Sequence, residues 1–354
     1  MLIYDTACLD RWCAFNHLNP TFANNGQQNI KSDHGESVFP GNAHTDIQES
    51  TQNPIILSKF ALKRYNSFQE SNQTDVLDEA IVYGRKAFHL CSPSYPSYAT
   101  ILSNLILLID RRFNLRHAMD DLAEVIALRS EAIPFYPPGH PDRFVNLNNF
   151  AMALRSRFNA LGAVEDLQNA VRYSREALLS CPPENPDHPT ALGNLGMLLS
   201  NRFDKLGQME DLEEAIASLR ESHLLCPQDS TIINNLAVAV FTRFQQLGRM
   251  DDLEEAMAYN KEALLLCPPG HPERGSSLNN FAVALSARFK RLGKVEDLEG
   301  AIVYQREALD VTLPSDPEYP RNLNNLASKV YSRFEQYGRM GDLDEAIGYS
   351  SEAL

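Results

Sequence analysis

No stretch of the 354 residues stays apolar for the roughly 18–20 positions that a membrane-spanning helix needs. The best candidate, Ile101 to Ile109, falls well short and runs into Asp110, Arg111 and Arg112. A secretory signal is missing too: Asp5 and Asp10 interrupt MLIYDTACLDRW before an apolar core can form. Cations are in short supply, with 32 Lys and Arg against 46 Asp and Glu, a net charge of −14. Such a surface repels phosphates, which argues against nucleic-acid partners and against docking on anionic membranes. There is no Gly-rich phosphate loop after a strand, no HExxH, no paired CxxC and no GxSxG. The expectation is a non-enzymatic protein with no cofactor and no metal, in the cytoplasm or the nucleus. At 22% charged and 44% hydrophobic, with 17 Gly and 20 Pro, the chain is neither disordered throughout nor collagen-like. It has ample apolar material for a core.

What is present is a repeat. The words DVLDEAI, DDLAEVI, EDLQNAV, EDLEEAI, DDLEEAM, EDLEGAI and GDLDEAI place Leu77, Leu122, Leu167, Leu212, Leu253, Leu298 and Leu343 in one slot. The spacing is 45 residues except for one step of 41, where CPQDSTIINNL is four shorter than CPPGHPERGSSLNNF. A period of this length marks a stack of supersecondary units, none of which can bury its own apolar face.

Each unit reads as two helices. In the third copy, Pro141 is expected to open the first helix, with Pro96, Pro186, Pro272 and Pro317 in the same slot. Leu147, Phe150, Ala151, Leu154, Phe158 and Leu161 share one face at 100° per residue. Gly162 ends the helix as a left-handed cap, as Gly207, Gly248, Gly293 and Gly338 do later, while His117 holds that slot in the second copy. A second helix starts near Val164, with Glu165 and Asp166 at its positive end. It buries Ala170, Val171, Ala177, Leu178 and Cys181, and stops at Pro182 and Pro183. Fourteen helices in seven pairs are expected from Ile56 onward. Residues 1–55 lack the repeat, are rich in Asn, Gln, Ser and His, and read as a disordered tail. Within it, the first 18 residues could form a short docking helix.

Comparison between copies assigns further roles. Cys91, Cys181, Cys226 and Cys267 share one slot at the end of the second helix, and read as small core residues too far apart to cross-link. Cys8 and Cys13 have no partners that would complete a metal site. His140 and His271 stand where other copies have Asn185 and Asp316, a pattern that suits N-capping rather than catalysis. An arginine recurs as Arg112, Arg157, Arg202, Arg243, Arg288 and Arg333. It is expected to form a ladder with Glu131, Glu176, Glu221, Glu262, Glu307 and Glu352. An asparagine recurs as Asn104, Asn149, Asn194, Asn235, Asn280 and Asn325, with Asn148, Asn234, Asn279 or Asn324 preceding it in four copies. Asparagine is a poor helix residue, so its recurrence points to a role. The recurring one fits hydrogen bonds between adjacent first helices. For the preceding one, both structure and recognition are open.

The run Leu154, Phe158, Leu161, Ala170, Ala177, Pro182 resembles the tetratricopeptide repeat, lengthened by about eleven residues. The words LNNFA, LNNLA and GHP look like the repeats of kinesin light chain. The fuller pattern, LNNLA..RF..LG...DLEEAI...REAL..CPPGHP, looks closer to fungal repeat arrays that precede a caspase-like CHAT peptidase domain. The resemblance covers about 300 residues. It implies an all-α, tetratricopeptide-like α-solenoid, a right-handed superhelix of antiparallel helix pairs over residues 56–354. The last repeat is cut short at Leu354, as expected of a fragment. The resemblance also implies a concave groove in which asparagines hold a peptide backbone. The tetratricopeptide register puts Asn148, Met152, Arg155 and Asn159 on that side. Later copies contribute Asn234, Phe241, Gln245, Asn279, Lys290, Asn324 and Tyr331. The function expected is a scaffold for a peptide or helix of a protein partner. The alternative is the regulatory arm of a CHAT-type peptidase whose catalytic domain is not in this chain.

Overall fold

In the computed structural model, residues 52–354 are described, so the expectations for the tail, its short helix, Cys8 and Cys13 lie outside the described residues. Those residues form fourteen α-helices in seven pairs and no strand. They divide into two compact units at the loop around Ser180 and Cys181. The first contains α1 (Pro54–Ser71), α2 (Thr74–His89), α3 (Tyr98–Arg116), α4 (Met119–Ala132), α5 (Arg143–Leu161) and α6 (Val164–Leu179). A single 3-10 turn, Ile133–Phe135, follows α4. The second contains α7 (His188–Leu206), α8 (Met209–Leu225), α9 (Ser230–Leu247), α10 (Met250–Leu266), α11 (Arg274–Leu292), α12 (Val295–Asp310), α13 (Tyr319–Tyr337) and α14 (Met340–Glu352).

The turn inside each pair is two residues long, and its first residue has the left-handed conformation. Gly162, Gly207, Gly248, Gly293 and Gly338 have φ between 66° and 72°. Each N–H donates to the carbonyl of the phenylalanine four residues back, at 2.7 Å. Asn72 and His117 do the same at φ 55° and 51°, against the steric cost of a Cβ in this region. The chain thereby reverses at once, and the second helix lies along the first.

The inter-pair prolines do not open the helices. Pro96, Pro141, Pro186, Pro272 and Pro317 lie two residues before the first helical residue. They sit in a turn in which, for example, Arg143 N–H donates to His140 O at 3.1 Å. Proline suits the second position of such a turn because its φ is already set. The expected capping histidines act on this turn. His140 Nδ1 accepts from Asp142 N–H at 3.1 Å and His271 Nδ1 from Glu273 N–H at 3.2 Å. Asn185 and Asp316 accept from Asp187 and Glu318 at 2.9 and 2.8 Å. The helix caps themselves are the following residues, Asp142, Asp187, Glu273 and Glu318, whose side chains make no cap bond.

The core follows the repeat. Leu77, Leu122, Leu167, Leu212, Leu253 and Leu298 are at most 1% exposed. Of the expected stripe on α5, five residues are buried, but Leu161 is 65% exposed, because it lies in the last turn beyond the packed stretch. Within each unit, a first helix covers the second helix of the preceding pair. Leu326 and Val330 of α13 pack with Leu298 and Ile302 of α12, and Phe281 and Leu285 of α11 with Leu253 and Met257 of α10. Volumes also compensate within a pair. Where α8 carries Leu219, α7 carries Gly196, at which a Cβ would come within 2.6 Å of the leucine.

Candidate interaction surface

The recurring arginine pairs differently from the expected ladder. Its partner is the aspartate nine residues on, at the start of the next helix, rather than the glutamate further along. Arg112, Arg157, Arg202 and Arg288 grip Asp121, Asp166, Asp211 and Asp297 with two hydrogen bonds each, at 2.5–2.9 Å. Arg243 and Arg333 hold Asp252 and Asp342 at 2.7 Å. The two-residue turn brings the end of one helix beside the start of the next, and the planar guanidinium fits the carboxylate fork. The pairing holds Arg157, Arg202, Arg288 and Arg333 above the usual arginine range, since the charge and hydrogen bonds of the aspartate favour the proton. Several of these arginines also reach back to the preceding pair: Arg112 to Asp78 at 2.9 Å, Arg243 to Glu213 at 2.9 Å, Arg288 to Glu254 at 3.2 Å and Arg333 to Glu299 at 3.4 Å. They act as clamps. The glutamates take other partners: Glu131 accepts from Tyr98, Glu176 from Arg143, Glu307 from Arg274 and Glu352 from Tyr319.

The asparagines divide by place. Asn104 Nδ2 donates to Ser58 Oγ at 3.0 Å, joining α3 to α1, and Asn325 Nδ2 donates to Asn279 Oδ1 at 2.9 Å, joining α13 to α11. These are the expected bonds between first helices. The preceding asparagines are more deeply placed than a peptide-reading role suggests. Asn148, Asn234 and Asn279 are buried. Asn234 exchanges hydrogen bonds with Ser277 of α11 at 2.9 and 3.1 Å. Asn279 accepts from Gln305 as well as from Asn325. Only Asn324 of this set is exposed.

Further along each helix the stripe opens. Phe241 is half-buried, while Gln245, Lys290 and Tyr331 are exposed, on α9, α11 and α13 of the second unit. These three first helices touch in sequence, so the structure brings their stripes side by side. In the first unit, Asn148, Met152, Arg155 and Asn159 run along α5 from buried through half-buried to exposed. Beside Asn324, Ser328 and Tyr331 a cavity of about 470 Å³ opens, also lined by Leu343, Ala346, Ile347, Ser350, Ser351 and Leu354.

Sequence comparison missed interior polar groups in each unit, because they differ from copy to copy. In the first unit Arg129 donates to Asp110, and both are 6% exposed. In the second, Lys329 is 3% exposed in a slot that holds Ala239 and Ala284 in the two preceding copies. Its Nζ donates to Gln305 Oε1 at 2.9 Å and to Asn325 O at 3.3 Å. Burial, with a smaller contribution from Lys290, pushes the amine down to about 7.

Cys91, Cys181, Cys226 and Cys267 are free thiols, and burial pushes Cys181 up to about 11, away from the nucleophilic thiolate. One Cys/His/carboxylate cluster occurs among the described residues: Cys267, His271 and Glu273 bring ligand atoms within 4.8 Å of one another. Its groups already have structural partners. Glu273 accepts from the Ser230 and Thr231 hydroxyls, and His271 Nδ1 accepts from the Glu273 N–H. No helix of the described residues is long and apolar enough to cross a membrane.

Residues 147–190 match the family model described as tetratricopeptide repeat. No curated protein matches the chain. Among solved structures, a tetratricopeptide repeat protein from Parabacteroides merdae aligns over 86% of this chain and 99% of its own, at 14% identity and a TM-score of 0.53. BtubC from P. vanneervenii aligns over 66% and 89% at 19% identity and a TM-score of 0.47. YrrB, described as a TPR protein with an unusual peptide-binding site, aligns over 69% and 96% at 18% identity and a TM-score of 0.44. The fold is a tetratricopeptide-like α-solenoid of long repeats.

Proposed function

We propose that the chain is a non-enzymatic interaction scaffold that binds an extended or helical segment of a protein partner along its first helices. The observation that carries this reading is the split within each stripe of the second unit. The buried asparagines Asn234 and Asn279 lock neighbouring helices together. The next two turns present Phe241, Gln245, Lys290 and Tyr331, which differ in size, charge and polarity. A rigid floor with a varied, half-open edge is what a sequence-reading surface requires. Phe241 and Tyr331 supply apolar anchors, Gln245 both donates and accepts, and Lys290 favours an acidic ligand side chain. Asn324 is the groove asparagine open to a ligand backbone.

The test is selection of random displayed peptides on the full-length chain, repeated on Lys290→Glu and Gln245→Ala variants. The reading expects a consensus with an acidic position that Lys290→Glu abolishes. A consensus indifferent to both changes would refute it. The regulatory-arm alternative rests on the repeat words alone. A reading frame that continues past Leu354 into a domain with a His–Cys dyad would support it.

A further inference from the structure

Among the described residues, every buried carboxylate but one is held by an arginine. Asp110 has Arg129, and the six aspartates that begin second helices have the clamps already described. Glu273, at the start of α11, is 2% exposed and has none. The adjacent Arg274 turns instead to Glu307 and to the Cys267 carbonyl, at 2.9 and 2.7 Å. What holds Glu273 is a pair of hydroxyls from α9: Ser230 donates to one carboxylate oxygen and Thr231 to the other. Hydroxyls orient a carboxylate but bring no charge, and a buried charge calls for a cation, whether a side chain or a metal.

Two further metal ligands converge on that carboxylate. Cys267, which follows the last residue of α10, is fully buried, and His271 lies half-buried in the turn between the helices. Ligand atoms of all three lie within 4.8 Å of one another. A thiolate sulfur, an imidazole nitrogen and a carboxylate oxygen form a zinc donor set, and the thiolate and carboxylate together cancel the charge of a divalent ion. The bonds already made are compatible with it. Each carboxylate oxygen has two lone pairs and its hydroxyl takes one, so Ser230 and Thr231 become the outer partners that fix a zinc ligand. His271 gives up its turn bond, 3.2 Å from the Glu273 N–H, because a neutral imidazole has a single lone pair to offer. Other loops break the combination, as at Cys181, Asn185 and Asp187, or at Tyr136, His140 and Asp142.

We propose that Cys267, His271 and Glu273 bind one zinc ion at the turn between α10 and α11. The Cys267 thiol loses its proton to solvent as the sulfur takes the metal. The ion enters from the side of His271, since the other two ligands are covered. Once bound, it ties the turn to α9 through the hydroxyl pair on Glu273. It sits beside the lock between Asn234 and Ser277, whose Oγ lies 3.8 Å from Cys267 Sγ.

The test titrates cobalt(II), and then zinc, onto the reduced full-length protein. One equivalent of cobalt should give a thiolate-to-cobalt charge-transfer band in the near ultraviolet, and zinc should abolish it. Two variants borrow residues that other copies carry in the same slots. Cys267→Thr follows Thr312, and His271→Asn follows Asn185, which makes the same turn bond. Cys267→Thr should remove the band. His271→Asn should weaken zinc, measured by competition with a chromophoric chelator, by at least about tenfold, a loss that even an outer partner of a zinc ligand causes. Unchanged circular dichroism verifies the fold of both. Absence of the band in the parent, a band that survives Cys267→Thr, or a smaller loss with His271→Asn would overturn the proposal.

Discussion

Replacing Lys329 by methionine should stabilise the protein at neutral and acidic pH and destabilise it in alkali. The amine is buried between α12 and α13, and burial lowers its proton affinity from the ordinary 10.5 to about 7. In the folded chain it is charged only below about 7, in the unfolded chain below about 10.5. Between these values the unfolded chain binds more protons, so stability rises with pH across that window. An interval of about 3.5 pH units at 1.36 kcal/mol each amounts to about 5 kcal/mol. That penalty is present in full below about pH 7 and absent above about pH 10.5. Methionine removes it but leaves Gln305 Oε1 without its donor, which costs about 1–3 kcal/mol. The variant should therefore be about 2–4 kcal/mol more stable than the parent near pH 6, and about 1–3 kcal/mol less stable near pH 10.5. Urea titrations followed by circular dichroism at both pH values measure the difference. Other groups that titrate in alkali, tyrosines and cysteines among them, cancel between parent and variant. A difference of the same sign and size at both pH values would refute the assignment.

Two stability changes follow from the turns and junctions. His117→Gly should raise stability by about 1 kcal/mol, because φ is 51° there and glycine lacks the clashing Cβ, as a urea midpoint would show. Gly196→Ala should lower it by about 1–3 kcal/mol, since the new methyl group meets Leu219 and the Ala215 carbonyl; pairing it with Leu219→Ala should recover part of the loss.

The repeat, its helix pairs and the left-handed caps were legible because each depends on local sequence that recurs. The glycine slot reveals itself by being glycine, and His117 could be placed there only by register. Leu161 was misjudged since helical periodicity marks a face but not how far along the helix the neighbour reaches. The arginine partner was misjudged for a topological reason. Asp166 reads as a helix-dipole residue in sequence, yet the two-residue turn carries it beside Arg157. The prolines suited a helix start equally well by φ, and only the turn bond from Arg143 to His140 separates the two positions. The asparagines were legible as a recurring slot, but their depth depends on the neighbouring helix. Ser277 closes over Asn234, and Gln305 and Asn325 close over Asn279. The buried Arg129, Gln305 and Lys329 left no signal because each junction solves its packing differently.

The central claim is that the open turns of α9 and α11 read a partner segment. Its most direct measurement is the affinity of one selected peptide, by anisotropy, for the full-length parent and for Phe241→Ala and Lys290→Glu. The account predicts a loss of at least about tenfold for each, with circular dichroism unchanged for Lys290→Glu. Equal affinity for the parent and both variants would contradict it.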